Sequence, residues 1–181
     1  MSIRDNADKI LYQYGLRKKL EEYGTVHIVG SYNMNLMTWN DLDINIECRE
    51  QSYNRIFSIS NDINQILKPY RFEGMCSDND RESFYGCETA VTGEPWNIDI
   101  WFKHKNKIME SQKKCEEIIE YITLNPSVKD IIIDIKLKLI EQRLYGINKL
   151  SNRHYHSIEI YNAVQKEGIK SFSDFIEKYP K

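Results

Sequence analysis

The sequence predicts an α+β fold: a small mixed β-sheet with helices on one face, continued by a C-terminal helical region. Three observations carry this. Thr25–Ser31, Asp41–Cys48 and Trp96–Phe102 combine apolar and β-branched residues in strand-like runs. Ile56, Ile59, Ile63, Ile66 and Leu67 recur at helical spacing between the second and third of these. After His104 the strand pattern stops and only helical stripes follow. The 181 residues, 41% hydrophobic and 29% charged, suffice for one domain with a core, or one domain plus a helical appendage.

Residues 4–22 carry Ile10, Leu11, Tyr14 and Leu20 at helical spacing, and Gly24 ends that helix. Thr25–Ser31 is the first strand, followed by a short helix or turn through Met34–Met37. Asp41–Cys48 is the second strand, and Ser52–Leu67 is a helix that Pro69 stops. Tyr70–Cys76 and Ser83–Val91 read as strands around the polar turn Ser77-Asp78-Asn79-Asp80. Gly93-Glu94-Pro95 then turns the chain into the Trp96–Phe102 strand. Beyond residue 105, helices are expected over 107–124, over 128–145 with Ser127 and Asp130 as a capping box, over 152–166, and over 171–178 with Ser171 and Asp174 repeating the cap. The expected organisation is a core over 1–105 and a helical region over 106–181 packed on it, since about 75 residues bury little alone.

Composition narrows the function. A net charge of −2 argues against a broad basic footprint for long nucleic acid. Cys48, Cys76, Cys87 and Cys115 show no metal-ligand spacing, which suits reduced thiols in a cytoplasmic protein. The opening residues do not resemble a signal peptide, and no apolar run approaches the roughly 20 residues needed to span a bilayer.

Chemistry concentrates at two strands. Asp41 and Asp43 lie two apart in Asp41-Leu42-Asp43-Ile44-Asn45-Ile46, so they share one face while Leu42, Ile44 and Ile46 face the other. Two carboxylates that close repel unless a cation sits between them, and hard divalent cations choose oxygen ligands. Upstream, Val29-Gly30-Ser31 ends a strand with the residue types a chain needs where backbone approaches a phosphate. Asp99 is a lone acid in the alternating strand Trp96–Phe102, sharing a face with Asn97 and Trp101. If that strand lies beside Asp41–Cys48, three carboxylates converge on one sheet face, as a two-metal site requires. Asn45 and Glu47 read as a solvated continuation of the same polar face. His27 reads as a packed, hydrogen-bonded histidine, and Trp101 as a stacking candidate beside Asp99.

In these residues the chain resembles the polymerase-β-type nucleotidyltransferase superfamily. The matching positions are Val29-Gly30-Ser31, Asp41-Leu42-Asp43 and Asp99, over roughly the first hundred residues. The connector Tyr32–Asn40 departs from many members in having no Arg or Lys. Arg143, Lys149, Arg153, His154 and His156 are an alternative source of positive charge. The resemblance implies Mg²⁺ or Mn²⁺ held by Asp41, Asp43 and Asp99, with the phosphates of an NTP, ATP by preference, at Gly30 and Ser31. It also implies transfer of an NMP to a hydroxyl with release of pyrophosphate. Small members with a helical C-terminal part adenylylate antibiotics, which implies a small-molecule acceptor. The alternatives are a catalytically inactive nucleotide-binding or antitoxin-like module, and transfer to a protein or RNA acceptor.

Overall fold

Strands β1 (Thr25–Ile28), β2 (Asp41–Glu47), β3 (Arg71–Ser77), β4 (Glu82–Thr89) and β5 (Trp96–Lys103) form one five-stranded sheet in the order β1-β2-β5-β4-β3. This computed structural model describes residues 2–48, 53–77, 82–146 and 154–180. The predicted turn residues Asp78, Asn79 and Asp80, and the basic residues Lys149 and Arg153, lie outside that set. β2 and β5 run parallel, and every other neighbouring pair is antiparallel. The mixed character follows from connectivity. Helix α4 (Tyr53–Leu67) and the β3–β4 pair carry the chain away and back, so β5 returns beside β2 in the same direction.

Alternation along each strand gives the sheet two chemically different faces. Leu42, Ile44 and Ile46 of β2, Ile98, Ile100 and Phe102 of β5, and Tyr85 and Cys87 of β4 form the apolar face. Ile56, Ile59, Ile63 and Leu67 of α4 pack on it together with Ala7, Ile10, Leu11, Leu16 and Leu20 from the N-terminal segment. Burying one such side chain contributes about 1.5–3 kcal/mol. Ile63 is fully buried at the middle of the α4 stripe. Ile63→Ala is therefore expected to cost about 2–5 kcal/mol, read as a lower urea midpoint with an unchanged slope.

The N-terminal segment is not the single helix its periodicity predicts. It divides into α1 (Ile3–Asp8), a π-helical turn (Lys9–Gln13) and α2 (Leu16–Leu20), with Gly15 between at φ +81°. A regular helix cannot point both Ile10 and Leu11, and then Leu16 and Leu20, at one sheet. The wider π turn and the left-handed glycine bring all four to full burial. Ser2 and Asp5 form a reciprocal capping box at the start of α1, with bonds of 3.1 and 2.8 Å.

The helical turn after β1 also differs. α3 spans Gly30–Asn33, so it begins at the glycine itself and ends before Met34–Met37, where a turn is expected. Asn35 at φ +55° closes it, and Met34 and Leu36 enter the core behind it. Arg4 fixes this turn from outside. Its guanidinium donates to the Tyr32 carbonyl at 2.8 Å and lies over the Tyr32 ring at 4.4 Å, while the Tyr32 hydroxyl donates to Asp8 at 2.6 Å.

The chain divides into two compact units, Met1–Cys115 and Glu116–Lys181, and α5 (Lys105–Leu124) runs through the division. The architecture changes near residue 105 where α5 starts. The unit boundary falls later because the first half of α5 belongs with the sheet, with Gln112 bonded to His27 at 3.0 Å. The second unit contains α6 (Ser127–Glu141), α7 (Ser157–Glu167) and α8 (Phe172–Lys178). Ser127 does not cap α6. Pro126 occupies the cap position with no side-chain bond, and its helical φ of −57° makes Ser127 the first helical residue. α6 also ends earlier than residue 145, at Glu141, because Arg143 turns left-handed at φ +56°. Ser171 caps α8 as the spacing predicts, accepting from the Asp174 N–H at 3.1 Å. Phe175 is the fully buried centre of this end, in contact with the Tyr155 ring at 5.1 Å. None of the described helices is long and apolar enough to cross a membrane. All four cysteines are free thiols.

Candidate functional site

The second face of the sheet is polar, and strand register arranges it in rows. Asp41 lies opposite Asn97, which lies opposite Glu88. In the next row Asp43 lies opposite Asp99, followed by Gly86 and then Glu73. The third row runs His27, Asn45, Trp101, Phe84 and Met75. The fourth contains Thr25, Glu47 and Lys103. Parallel pairing of β2 with β5 thus brings Asp43 and Asp99 into direct opposition, with Asp41 two residues away on the same face.

Asn97 organises the carboxylates. Its side-chain amide donates to Asp41 Oδ1 at 2.9 Å and to Asp99 Oδ1 at 3.3 Å. Among the described residues, no three His, Cys, Asp or Glu side chains are gathered into a ready-made metal cluster. The sequence offered a signal for Asn97, since it stands two residues before Asp99 on the same strand face.

Asp99 carries the electrostatic cost of this arrangement. Burial, then the Asp43 charge and the more distant Glu73 charge, push its pKa from 3.8 up to about 6, while the Asn97 hydrogen bond opposes them. A raised acid favours the fold when protonated. The contribution is therefore present below about pH 4 and is lost as pH rises through about 6. Asp99→Asn should raise the metal-free melting temperature at pH 8 by an amount equivalent to about 1–2 kcal/mol, and should change little at pH 4. Melting curves in EDTA at the two pH values check this, and a larger gain at pH 4 would contradict it. The donor set fits a hard divalent cation: carboxylate oxygens only, from adjacent strands, with charge to neutralise.

Gly30 is explained by Asp43. Its φ is +65°, and a Cβ there would stand 2.0 Å from Asp43 Oδ2. The main chain at the β1–α3 junction therefore lies directly against the carboxylate, held by the Val29 N–H bond to the Asp43 carbonyl at 3.0 Å. Ser31 is buried as the second residue of α3. Gly30 and Ser31 thus share one end of the carboxylate row, with α3 starting at that point.

The other residues singled out from sequence fall as follows. Asn45 is buried, 3% exposed, and is not part of a solvated face as expected; His27 and Trp101 flank it in register. His27 is bonded to Gln112, and its Nε2 lies 3.8 Å from Glu47. Trp96 is core, its indole N–H bonded to Thr92 at 2.9 Å. Trp101 packs on Phe84 at 4.7 Å between ring centroids, and the Lys103 ammonium lies 4.6 Å over its ring. Burial holds the Lys103 pKa below its ordinary value. Arg143 is exposed at the end of α6 in the second unit.

No protein-family profile and no curated protein sequence matches the chain. Solved structures do. The polymerase core of TRAMP, an RNA surveillance complex, superposes with a TM-score of 0.61 at 17% identity, over 88% of this chain and 48% of that one. The non-canonical poly(A) polymerase complex GLD-2–GLD-3 gives 0.60 at 12% identity, over 96% and 58%. The Cid1 poly(U) polymerase with Mg and 3′-dATP bound gives 0.57 at 13%, over 81% and 45%. The chain has the nucleotidyltransferase fold. It spans about half the length of these polymerases. The likeness extends to the mixed sheet and the helices after it, as the sequence predicts, and does not single out the antibiotic-modifying branch.

Proposed function

We propose that the protein is a metal-dependent nucleotidyltransferase that moves an NMP, AMP from ATP by preference, to a hydroxyl and releases pyrophosphate. The observation that carries this reading is the opposition of Asp43 and Asp99 across β2 and β5, with Asp41 beside them and the Gly30 backbone against Asp43. Asp41, Asp43 and Asp99 would hold Mg²⁺ or Mn²⁺. When bound, such a cation neutralises phosphate charge and polarises the oxygens on it.

The chain's own residues do the rest. Gly30 and Ser31 present backbone N–H groups at the start of α3 to the phosphates, and the absent Cβ of Gly30 lets the main chain approach. Asp99 accepts the proton of the acceptor hydroxyl as its oxygen attacks the α-phosphorus, and the pyrophosphate departs with the bond electrons. Asn97 holds Asp41 and Asp99 in register and so acts as a positioning residue.

For the acceptor, a small hydroxylated molecule is the first reading. The net charge is −2, and the lysines near this face are already engaged: Lys103 lies over the Trp101 ring at 4.6 Å, and Lys107 is 3.9 Å from Glu82. One observation favours transfer to an RNA end, namely that the polymerases of similar fold act on RNA. Pyrophosphate release from each of the four NTPs, with Mg²⁺ or Mn²⁺, separates these readings. It is run with small hydroxylated acceptors, antibiotics included, and with short RNA. Release that depends on one acceptor and disappears in Asp99→Asn is the expected result. Nucleotide binding without release from any acceptor would favour the inactive module.

A further inference from the structure

Next to the carboxylate row lies a feature that the transfer chemistry does not use. Trp101, Phe84 and Met75 form an apolar strip along the third row, and Met75 at its end is 52% exposed. The Phe84 ring leaves that row. A Cβ built on Gly86 would meet Phe84 Cζ at 2.6 Å, Phe84 Cε1 at 2.9 Å and Asp99 Oδ1 at 3.4 Å. The Phe84 ring edge therefore occupies the place of a Gly86 side chain, beside the Asp99 carboxylate. Trp101 backs it at 4.7 Å. On the far side of Gly86, in register, stands Glu73, exposed on β3. No hydrogen bond or ion pair engages its carboxylate among the described residues, whereas the neighbouring Glu88 is tied to Arg71 at 2.9 Å.

We infer that Phe84 and Glu73 form the acceptor shelf of this site, and that the acceptor presents a hydroxylated sugar ring to it. The inference rests on the transfer reading above. An aromatic edge with a carboxylate on either side matches the two surfaces of a sugar. The C–H face of the ring packs on Phe84. One hydroxyl reaches Asp99 and becomes the nucleophile, while a second, across the ring, donates to Glu73. Gly86 is required because any side chain there would displace Phe84 from Asp99. Adjacent strands are about 4.8 Å apart, so Asp99 and Glu73, two spacings apart with β4 as the floor between them, are separated by about 10 Å, a gap that a sugar ring spans with a hydroxyl directed to each carboxylate. The ring could belong to the terminal ribose of an RNA or to a free glycoside. Both offer the same chemistry to the shelf.

Two measurements test this together. Saturation-transfer NMR with Mg²⁺ and a non-hydrolysable ATP analogue uses methyl β-D-ribofuranoside, an aminoglycoside and a short RNA as probes. Pyrophosphate release is measured in parallel with the same acceptors and ATP. Glu73→Gln and the conservative Phe84→Leu are compared with the unaltered protein, and a circular dichroism melt confirms that each is folded. The expected result is saturation of sugar-ring protons in one probe class and loss of that signal in both variants. The acceptor KM should rise about 10-fold or more, with the KM for ATP changed less than about 2-fold. A signal from RNA alone, or from a glycoside alone, identifies the source of the ring. Sugar contacts or acceptor KM unchanged in both variants would overturn the shelf while leaving the transfer reaction standing. Ring contacts that the variants abolish, without pyrophosphate release from any acceptor, would overturn the transfer reading and keep the shelf as a binding site. No ring contact in any probe overturns the shelf outright.

Discussion

Asp43→Asn and Asp99→Asn are each expected to slow acceptor-dependent pyrophosphate release by at least about 10³-fold. The two residues lie opposite each other across paired strands, so each variant removes one of the opposed anionic oxygen donors on which the proposed cation site depends. Charge stabilisation by a bound cation contributes several kcal/mol to such a displacement, and about 4 kcal/mol corresponds to three orders of magnitude. Asp99→Asn also deletes the proposed proton acceptor, so its loss should exceed that of Asp43→Asn and should not be rescued by raising Mg²⁺. Neither change should unfold the protein. Asparagine has nearly the same volume as aspartate, and each substitution removes one charge from a mutually repelling set. Single-turnover release with titrated Mg²⁺ or Mn²⁺ measures this. Full metal-dependent activity in either variant would remove that residue from the assignment.

Gly30→Ala should lower activity far more than stability. Alanine at φ +65° costs about 1–2 kcal/mol in backbone strain. The larger consequence is local. The new methyl would lie 2.0 Å from Asp43 Oδ2, 2.8 Å from Cγ and 3.0 Å from Cβ, so the whole Asp43 side chain must turn away from Asp99. A catalytic group displaced by about 1 Å costs on the order of 10²-fold in rate. Gly93→Ala is the control. Gly93 has φ +93° with nothing within 4 Å of an added Cβ, so it carries the strain without the collision. The two variants should melt within a few degrees of each other, and only Gly30→Ala should lose turnover and metal affinity. Equal activity losses in both would mean that backbone strain, not the Asp43 contact, accounts for Gly30.

The parts of the fold legible in the chain are those governed by local periodicity. The α4 stripe and the alternating Trp96–Phe102 strand could be placed because burial of one face leaves a period in the sequence. The Ser171 cap could be read because it acts over three residues. The N-terminal segment could not. Its break at Gly15 and its π turn satisfy the sheet that receives Ile10 and Leu11, and that demand has no local signature. The Ser127 cap failed for a related reason, because Pro126 is itself suited to open a helix.

At the site, sequence determined the kinds of groups: two aspartates on one strand face, a third on another, and a glycine at a strand end. Strand periodicity and hydropathy are enough for that. Only the tertiary structure decided which groups meet. Parallel pairing of β2 with β5 sets Asp43 against Asp99 and places Asn97 to bridge Asp41 and Asp99. Packing at the β1–α3 junction brings Gly30 onto Asp43, and the β3–β4–β5 register sets Phe84 and Glu73 around Gly86. Apart from Asn97 with Asp99 and Phe84 with Gly86, which are two residues apart, these contacts join residues distant in the chain. Their register is chosen by burial of the opposite, apolar face, so the polar side records no pattern of its own from which they could be read.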